Sequence, residues 1–265
     1  MKNGRILLDI QDNVAVMTLN HPEALNAFGI RLRADMSEAL DQVEAGGARC
    51  LLITGAGRGF CSGANLNDVD RAPRDRGAEE RGEMETDLQS WYNPTFIRLR
   101  DLKIPVVTAI NGVAAGAGMS LAISADIRIA AKSATFIQAF ARIGLVPDCG
   151  ATFLLPRLIG MARAMELSLL AEALPAERAL EWGMINRVVD DAALMTEAMA
   201  IARRLAQGPS SLGLIRKLYW DGLTSNYPDQ LEREARVQIA AGGSADSAEG
   251  IAAFREKRRA SFSGR

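Results

Sequence analysis

Apolar and polar residues alternate over residues 6–10 and again over 14–19, on either side of Gln11-Asp12-Asn13, which predicts a β-hairpin. His21-Pro22 breaks the second strand. From Leu25-Asn26-Ala27-Phe28 the spacing changes. Leu32, Met36, Leu40 and Val43 recur at helical intervals and predict a helix with one buried face to about residue 43, closed by Gly46-Gly47. Residues 50–55 (CLLITG) are apolar without alternation, which predicts a strand covered on both faces. A helix is expected over about 88–102, with strands at 105–110 and 127–130. Strand and helix then alternate to about Val189, which implies an α/β architecture with right-handed crossovers. From Asp190 onward only helical periodicity remains, at roughly 191–207, 210–222, 227–242 and 246–258. Two parts follow, a core over 1–190 and a helical region over 191–265 that caps the core or packs on another subunit.

Composition narrows the chemistry. With 265 residues, 48% hydrophobic and 24% charged, the chain suits one large domain with a sizeable core. A net charge of −1 gives no electrostatic case for nucleic acid or an anionic membrane. No apolar run approaches the roughly 20 residues that span a bilayer. The N-terminus MKNGRILLDIQDN meets charge too early for a signal peptide. Three widely spaced cysteines, Cys50, Cys61 and Cys149, fit neither a disulfide framework nor a zinc site, so a reduced, cytoplasmic protein is expected. The single histidine, His21, sits in a turn signal and is expected at the solvated surface. A His-rich metal site is excluded, and any histidine-assisted nucleophile would have to use His21. The glycine-rich stretch 57–66 has neither a dinucleotide fingerprint nor a Walker lysine. Residues 67–87 are strongly charged and read as a surface loop, with substrate gating as the sharper alternative.

One stretch, 111–152, concentrates the candidate chemistry. Ala114-Ala115-Gly116-Ala117-Gly118 has no side-chain bulk, so its backbone can approach a ligand closely. The helical pattern that follows leaves free N–H groups at its start. Such donors stabilise negative charge developing on a carbonyl oxygen. Farther on, Pro147-Asp148-Cys149-Gly150 carries a carboxylate at a turn, either a helix N-cap or a base. Cys149 lacks a histidine partner, and Ser120 has no visible base.

Taken together, the segments resemble the crotonase (enoyl-CoA hydratase/isomerase) superfamily over essentially the whole chain. The matching pieces are His21-Pro22-Glu23-Ala24-Leu25-Asn26-Ala27, Gly59-Phe60-Cys61-Ser62-Gly63-Ala64-Asn65-Leu66, residues 105–118, Ala125-Asp126-Ile127-Arg128-Ile129-Ala130, residues 144–160, Glu181-Trp182-Gly183-Met184-Ile185 and residues 249–258. The resemblance implies an α/β fold, a crotonase-like spiral of ββα turns with a C-terminal helical trimerisation region. It also implies trimers or paired trimers and an acyl-CoA ligand. No metal, flavin or nicotinamide is implied; the CoA thioester is substrate.

By motif, the two backbone N–H groups that hold the thioester oxygen in such enzymes fall on Ala64 and Ala117. Hydratases of the superfamily use two glutamates; those positions here are Ser120 and Phe140, so a conventional hydratase is not expected. Asp148 stands where some family isomerases carry their only acid. Phe136, Phe140, Leu145 and Val146 are expected to form an apolar wall that raises its pKa. The branch most similar in its Gly-Leu-x-Pro-Asp-Cys-Gly stretch, and at Tyr92-Asn93-Pro94, isomerises a ring epoxide of phenylacetyl-CoA. Relatives in it shift double bonds in linear enoyl chains. Asn26, Ala27 and the backbone from Cys61 through Ser62, Gly63 and Asn65 to Leu66 are expected to line the CoA site. Lys257 either meets a CoA phosphate or lies solvated on a terminal helix. Two alternatives stay open: a hydratase that recruits another acid, and a catalytically silent CoA-binding scaffold.

Overall fold

The computed structural model describes residues 4–67, 77 and 86–265. Ile6–Gln11 and Val14–Leu19 form the expected hairpin, in register from Ile6 opposite Leu19 to Gln11 opposite Val14. Val14–Leu19 then pairs in parallel with Cys50–Gly55, which pairs with Val106–Ile110, then Ile127–Ala131, then Arg187–Val189. A second sheet holds Gly59–Cys61, Val113–Ala115, Thr135–Ile137 and Leu174–Pro175. The chain repeatedly lays a strand in the first sheet, turns a corner, and lays a short strand in the second. That repetition is the ββα spiral expected from the resemblance.

Two asparagines staple one of these corners. Asn26 Nδ2 donates to Ala56 O (2.9 Å) and Gly59 O (2.8 Å), and its Oδ1 accepts from His21 N (2.8 Å). Asn111 Nδ2 donates to Gly57 O (2.9 Å), while its Oδ1 accepts from Gly55 N (3.1 Å). His21 itself is not solvated as expected. Its side chain is 16% exposed and its Nε2 lies 3.4 Å from Glu23 Oε1.

The strand over 50–55 is covered on both faces. Leu51 and Ile53 point into a core shared with the helix Ile30–Ala45, where Leu32, Met36, Leu40 and Val43 are buried as their spacing predicts. Cys50 and Leu52 point the other way, against Ala198, Ala202 and Ala206 of the helix Leu194–Ala206. The first of the expected C-terminal helices is thus packed on the sheet. The later ones differ: Tyr227–Gly242 buries none of its side chains, and Ser211–Gly222 buries only Arg216. That guanidinium reaches Asp126 at 2.7 Å and donates to the carbonyls of Leu99, Arg100 and Leu102, fastening the helical layer to the body.

The helix expected over 88–102 is a π turn, Leu88–Tyr92, followed by the α-helix Asn93–Asp101. The charged loop expected over 67–87, and its gating role, fall almost wholly outside the described residues. Among the described residues, no helix is long and apolar enough to cross a membrane.

Candidate active site

The segments carrying Ala64 and Ala117 meet because two glycines permit it. Gly63 has φ +93°, and a Cβ placed on it would lie 2.8 Å from Ala115 O and 3.4 Å from Ala117 N. A Cβ on Gly118 would fall 2.1 Å from Cys61 O. Backbone therefore meets backbone directly, and a side chain at either position would push the Gly59–Cys61 strand from the helix Ala117–Ile123. Phe28 N donates to Gly63 O (2.7 Å) and Asn65 N donates to Phe28 O (3.2 Å), which fixes the peptide between them. Ala117 opens its helix after Gly116 (φ +53°), so its N–H has no intrahelical acceptor. Among the described residues, the Ala64 N–H meets no backbone acceptor either.

Asp148 is not a helix cap. The helix Ala151–Ile159 starts after Gly150, with no side-chain cap, and it is the backbone oxygen of Asp148 that accepts from Ala151 N at 3.0 Å. The carboxylate is left over. Its Oδ1 is buried and has no hydrogen-bond partner among the described residues. Burial pushes its pKa above the ordinary carboxylate value, against a smaller opposing effect from the Cys149 thiol. The buried Ser120 Oγ donates to the Asp148 backbone carbonyl at 3.1 Å. Ser120 also belongs to the helix that Ala117 opens, so one hydroxyl ties the donor helix to the turn carrying the carboxylate.

Ala64 and Asp148 line one cavity of about 210 Å³, with Leu66, Leu145 and Val146 at its wall. The expected apolar wall is only partly there. Leu145 and Val146 are more than half exposed, Phe140 is buried with its ring edge near Gly116, and Phe136 lies in the core away from the cavity. Leu145 and Val146 nonetheless share the cavity wall with Asp148. The same cavity is lined by Phe28, Ile30, Arg33, Asp87, Leu88 and Tyr92, which sequence reasoning did not assign. Arg33 lies 3.4 Å from Asp87 and 5.7 Å from the ring centroids of Trp91 and Tyr92. Only the Tyr92-Asn93-Pro94 motif hinted at this wall.

The remaining expected residues are scattered in role. The Asn26 side chain is buried and consumed by its three hydrogen bonds, which leaves only backbone there for a ligand. Ala27 and Cys61 are buried, and burial pushes the Cys61 thiol up to about 12. Ser62 Oγ donates to Ala24 O (3.1 Å), and Asn65 Oδ1 accepts from Asn67 N (3.1 Å). Lys257 is exposed, ends the helix Ala245–Glu256 in a left-handed turn, and is not in the cavity wall. A larger cavity of about 940 Å³, lined by Arg49, Lys103, Trp220 and Arg265 among others, shares no residue with the first. Among the described residues, no cluster of three or more His, Cys, Asp or Glu side chains could hold a metal ion.

Comparison with known proteins bears on this geometry. The enoyl-CoA hydratase/isomerase family profile matches residues 9–265. The 1,2-epoxyphenylacetyl-CoA isomerase of Escherichia coli K12 is 47% identical over 262 residues, covering 98% of both chains. A protein of Rhodobacter capsulatus named "Probable enoyl-CoA hydratase" is 44% identical over the full length of both. The crystal structure of enoyl-CoA hydratase from Bacillus anthracis superposes with a TM-score of 0.89 at 29% identity, covering 98% of this chain and 100% of that one.

Proposed function

This chain belongs to the enoyl-CoA hydratase/isomerase (crotonase) family, and on that premise we propose that it is an acyl-CoA isomerase working with one carboxylate. The observation that carries the reading is the buried, unpartnered Oδ1 of Asp148 in the same cavity as Ala64, with Ser120 and Phe140 where hydratases have glutamates. Ionised Asp148 takes a proton from the carbon next to the thioester carbonyl. The charge moves onto the thioester oxygen, where the N–H groups of Ala64 and Ala117 receive it. Protonated Asp148 then returns the proton to the γ carbon and the double bond shifts. Each such donor is typically worth about 3–4 kcal/mol to the transition state. One base suffices, because the proton leaves and re-enters at carbon. The thioester is itself the electron sink, so no cofactor enters the mechanism.

The substrate we favour is a ring epoxide of phenylacetyl-CoA, by likeness to the Escherichia coli relative; a linear 3-enoyl-CoA is the simpler surrogate. In this reading CoA lies along the backbone of residues 26–27 and 61–66. Lys257, which is not in the cavity wall of its own chain, meets a CoA phosphate of a neighbouring subunit. A homotrimer, single or paired, built by the helical region within 191–265 is supported by the unburied helix Tyr227–Gly242 and by Tyr227, Ile239 and Phe254, each more than three-quarters exposed. A cytoplasmic setting is supported by three free, buried thiols.

The test is 3-enoyl-CoA in deuterium oxide, wild type beside Asp148→Asn. We expect double-bond migration with deuterium uptake in the wild type and neither in the variant, which should still bind the ester. No exchange in the wild type sinks the isomerase reading and leaves the silent CoA-binding scaffold. A second reading, a hydratase using another acid, draws on Asp87 in the cavity wall. Incorporation of labelled oxygen from water into product would select it.

A further inference from the structure

The cavity that holds Asp148 presents a second polar group that the proton transfer does not use. Tyr92 closes the π turn Leu88–Tyr92, and such wide turns often mark functional positions. Its ring is only 5% exposed. It meets Trp91 edge-on at 4.8 Å and Phe28 edge-on at 5.8 Å between centroids. Trp91 is itself pinned, its Nε1 donating to Arg33 O (3.1 Å) and Ser37 Oγ (3.0 Å). The tyrosine ring is therefore held in one place, at the wall that also carries Ala64 and Asp148.

Tyrosine hydroxyls on buried rings normally find a partner. Among the described residues no protein group accepts from the Tyr92 O–H, which is not sealed off but open to the cavity that the residue lines. Burial, against a smaller lowering effect of the Arg33 charge, raises its pKa above the ordinary phenol value, so the group is a donor. A hydrocarbon acyl chain in this cavity would cover the donor and leave it unpaired. An acyl group bearing an oxygen would satisfy it, and sites of this kind discriminate between the two.

We propose that Tyr92 sets substrate specificity by donating a hydrogen bond to an oxygen carried on the ring of the acyl group, so that cyclic ether or epoxide acyl-CoA esters are preferred to hydrocarbon ones. The inference rests on the acyl-CoA isomerase reading and sharpens its substrate class. The phenolic proton stays on Tyr92, and no covalent bond is made or broken there.

Two esters with no double bond to shift and no leaving group on the carbon β to the thioester test it, (tetrahydropyran-3-yl)acetyl-CoA and cyclohexylacetyl-CoA, which differ by one ring oxygen. Dissociation constants are measured by calorimetric titration for the wild type and Tyr92→Phe. The wild type is expected to bind the cyclic ether about tenfold more tightly, and the variant to bind both alike, chiefly by losing affinity for the ether. Phenylalanine keeps the ring stack, so the melting temperature should hold. An unchanged ratio, equal weakening of both esters, or a wild type that favours neither ester overturns the inference. Because binding is read without turnover, failure of the isomerase reading shows up separately, as absent deuterium exchange in the wild type.

Discussion

In the proposed site, the donor side is backbone packed on backbone, whereas the acid side is a single side chain on a half-buried turn. There Ala64 and Ala117 would contribute peptide N–H groups, and the absence of side chains at Gly63 and Gly118 lets their segments meet. Asp148 would contribute a carboxylate, and its main-chain carbonyl is held by the Ser120 hydroxyl and by Ala151 N. The contrast teaches where reaction type can change. Altering the donor side means moving two segments of backbone. On the proposed reading, altering the acid side means changing a few side chains at 120, 140 and 148, with the proposed cradle for a thioester oxygen left in place.

That contrast can be broken from either side. Asp148→Asn should cost the most, lowering kcat by about a thousandfold with ester binding nearly intact, measured by steady-state kinetics beside titration. Gly63→Ala should follow, at about a hundredfold in kcat, because the new methyl meets Ala115 O and crowds Ala117 N. Its φ of +93° also makes any side chain there strained, so a fall in melting temperature should accompany the lost activity. Ser120→Ala should be milder, about five- to tenfold in kcat, since it frees the turn but spares the carboxylate. A Ser120→Ala effect as large as that of Asp148→Asn would mean that the two sides are not separable.

The smallest effect concerns stability and has the opposite sign. Burial lifts Asp148 above its ordinary 3.8, so the native state holds that proton more tightly than the unfolded chain does. The stabilising contribution is complete below 3.8 and is lost as pH rises through the higher native value. Asp148→Asn removes a buried ionised group at neutral pH. The variant should therefore melt slightly above the wild type at about pH 7, with the gap closing at about pH 3. The wild-type rate should rise with pH along a limb whose midpoint lies above 3.8.

Much of the fold was legible because its signals are local. The alternation of 6–10 and 14–19, the helical spacing of Leu32 to Val43, and the unbroken apolar run 50–55 each reported which faces are covered. The close backbone approach at Gly118 was legible for the same reason, since small residues in sequence announce it, while Ala64 was singled out only by the family resemblance. The missed parts are those in which distant segments meet. Arg33 reads as an ordinary exposed-face residue of a helix until Trp91 and Tyr92 fold over it. Arg216 reads as a helix charge until Asp126 arrives from ninety residues away. Asn26 looked like a ligand contact because it lies in a motif, yet its side chain is spent on the corner between the two sheets. The helix over 88–102 was expected as one piece, since periodicity does not register one extra residue in a turn.

The placement of Asp148 on a single wall of the cavity also carries a stereochemical consequence. If one carboxylate both removes and returns the proton, it must work from the side of the bound ester that it already faces. Loss and gain then occur on the same face, and the transfer is suprafacial. Some of the hydrogen should travel within one molecule before it can exchange with solvent. The label in the product would carry a defined handedness, written by the position of one side chain.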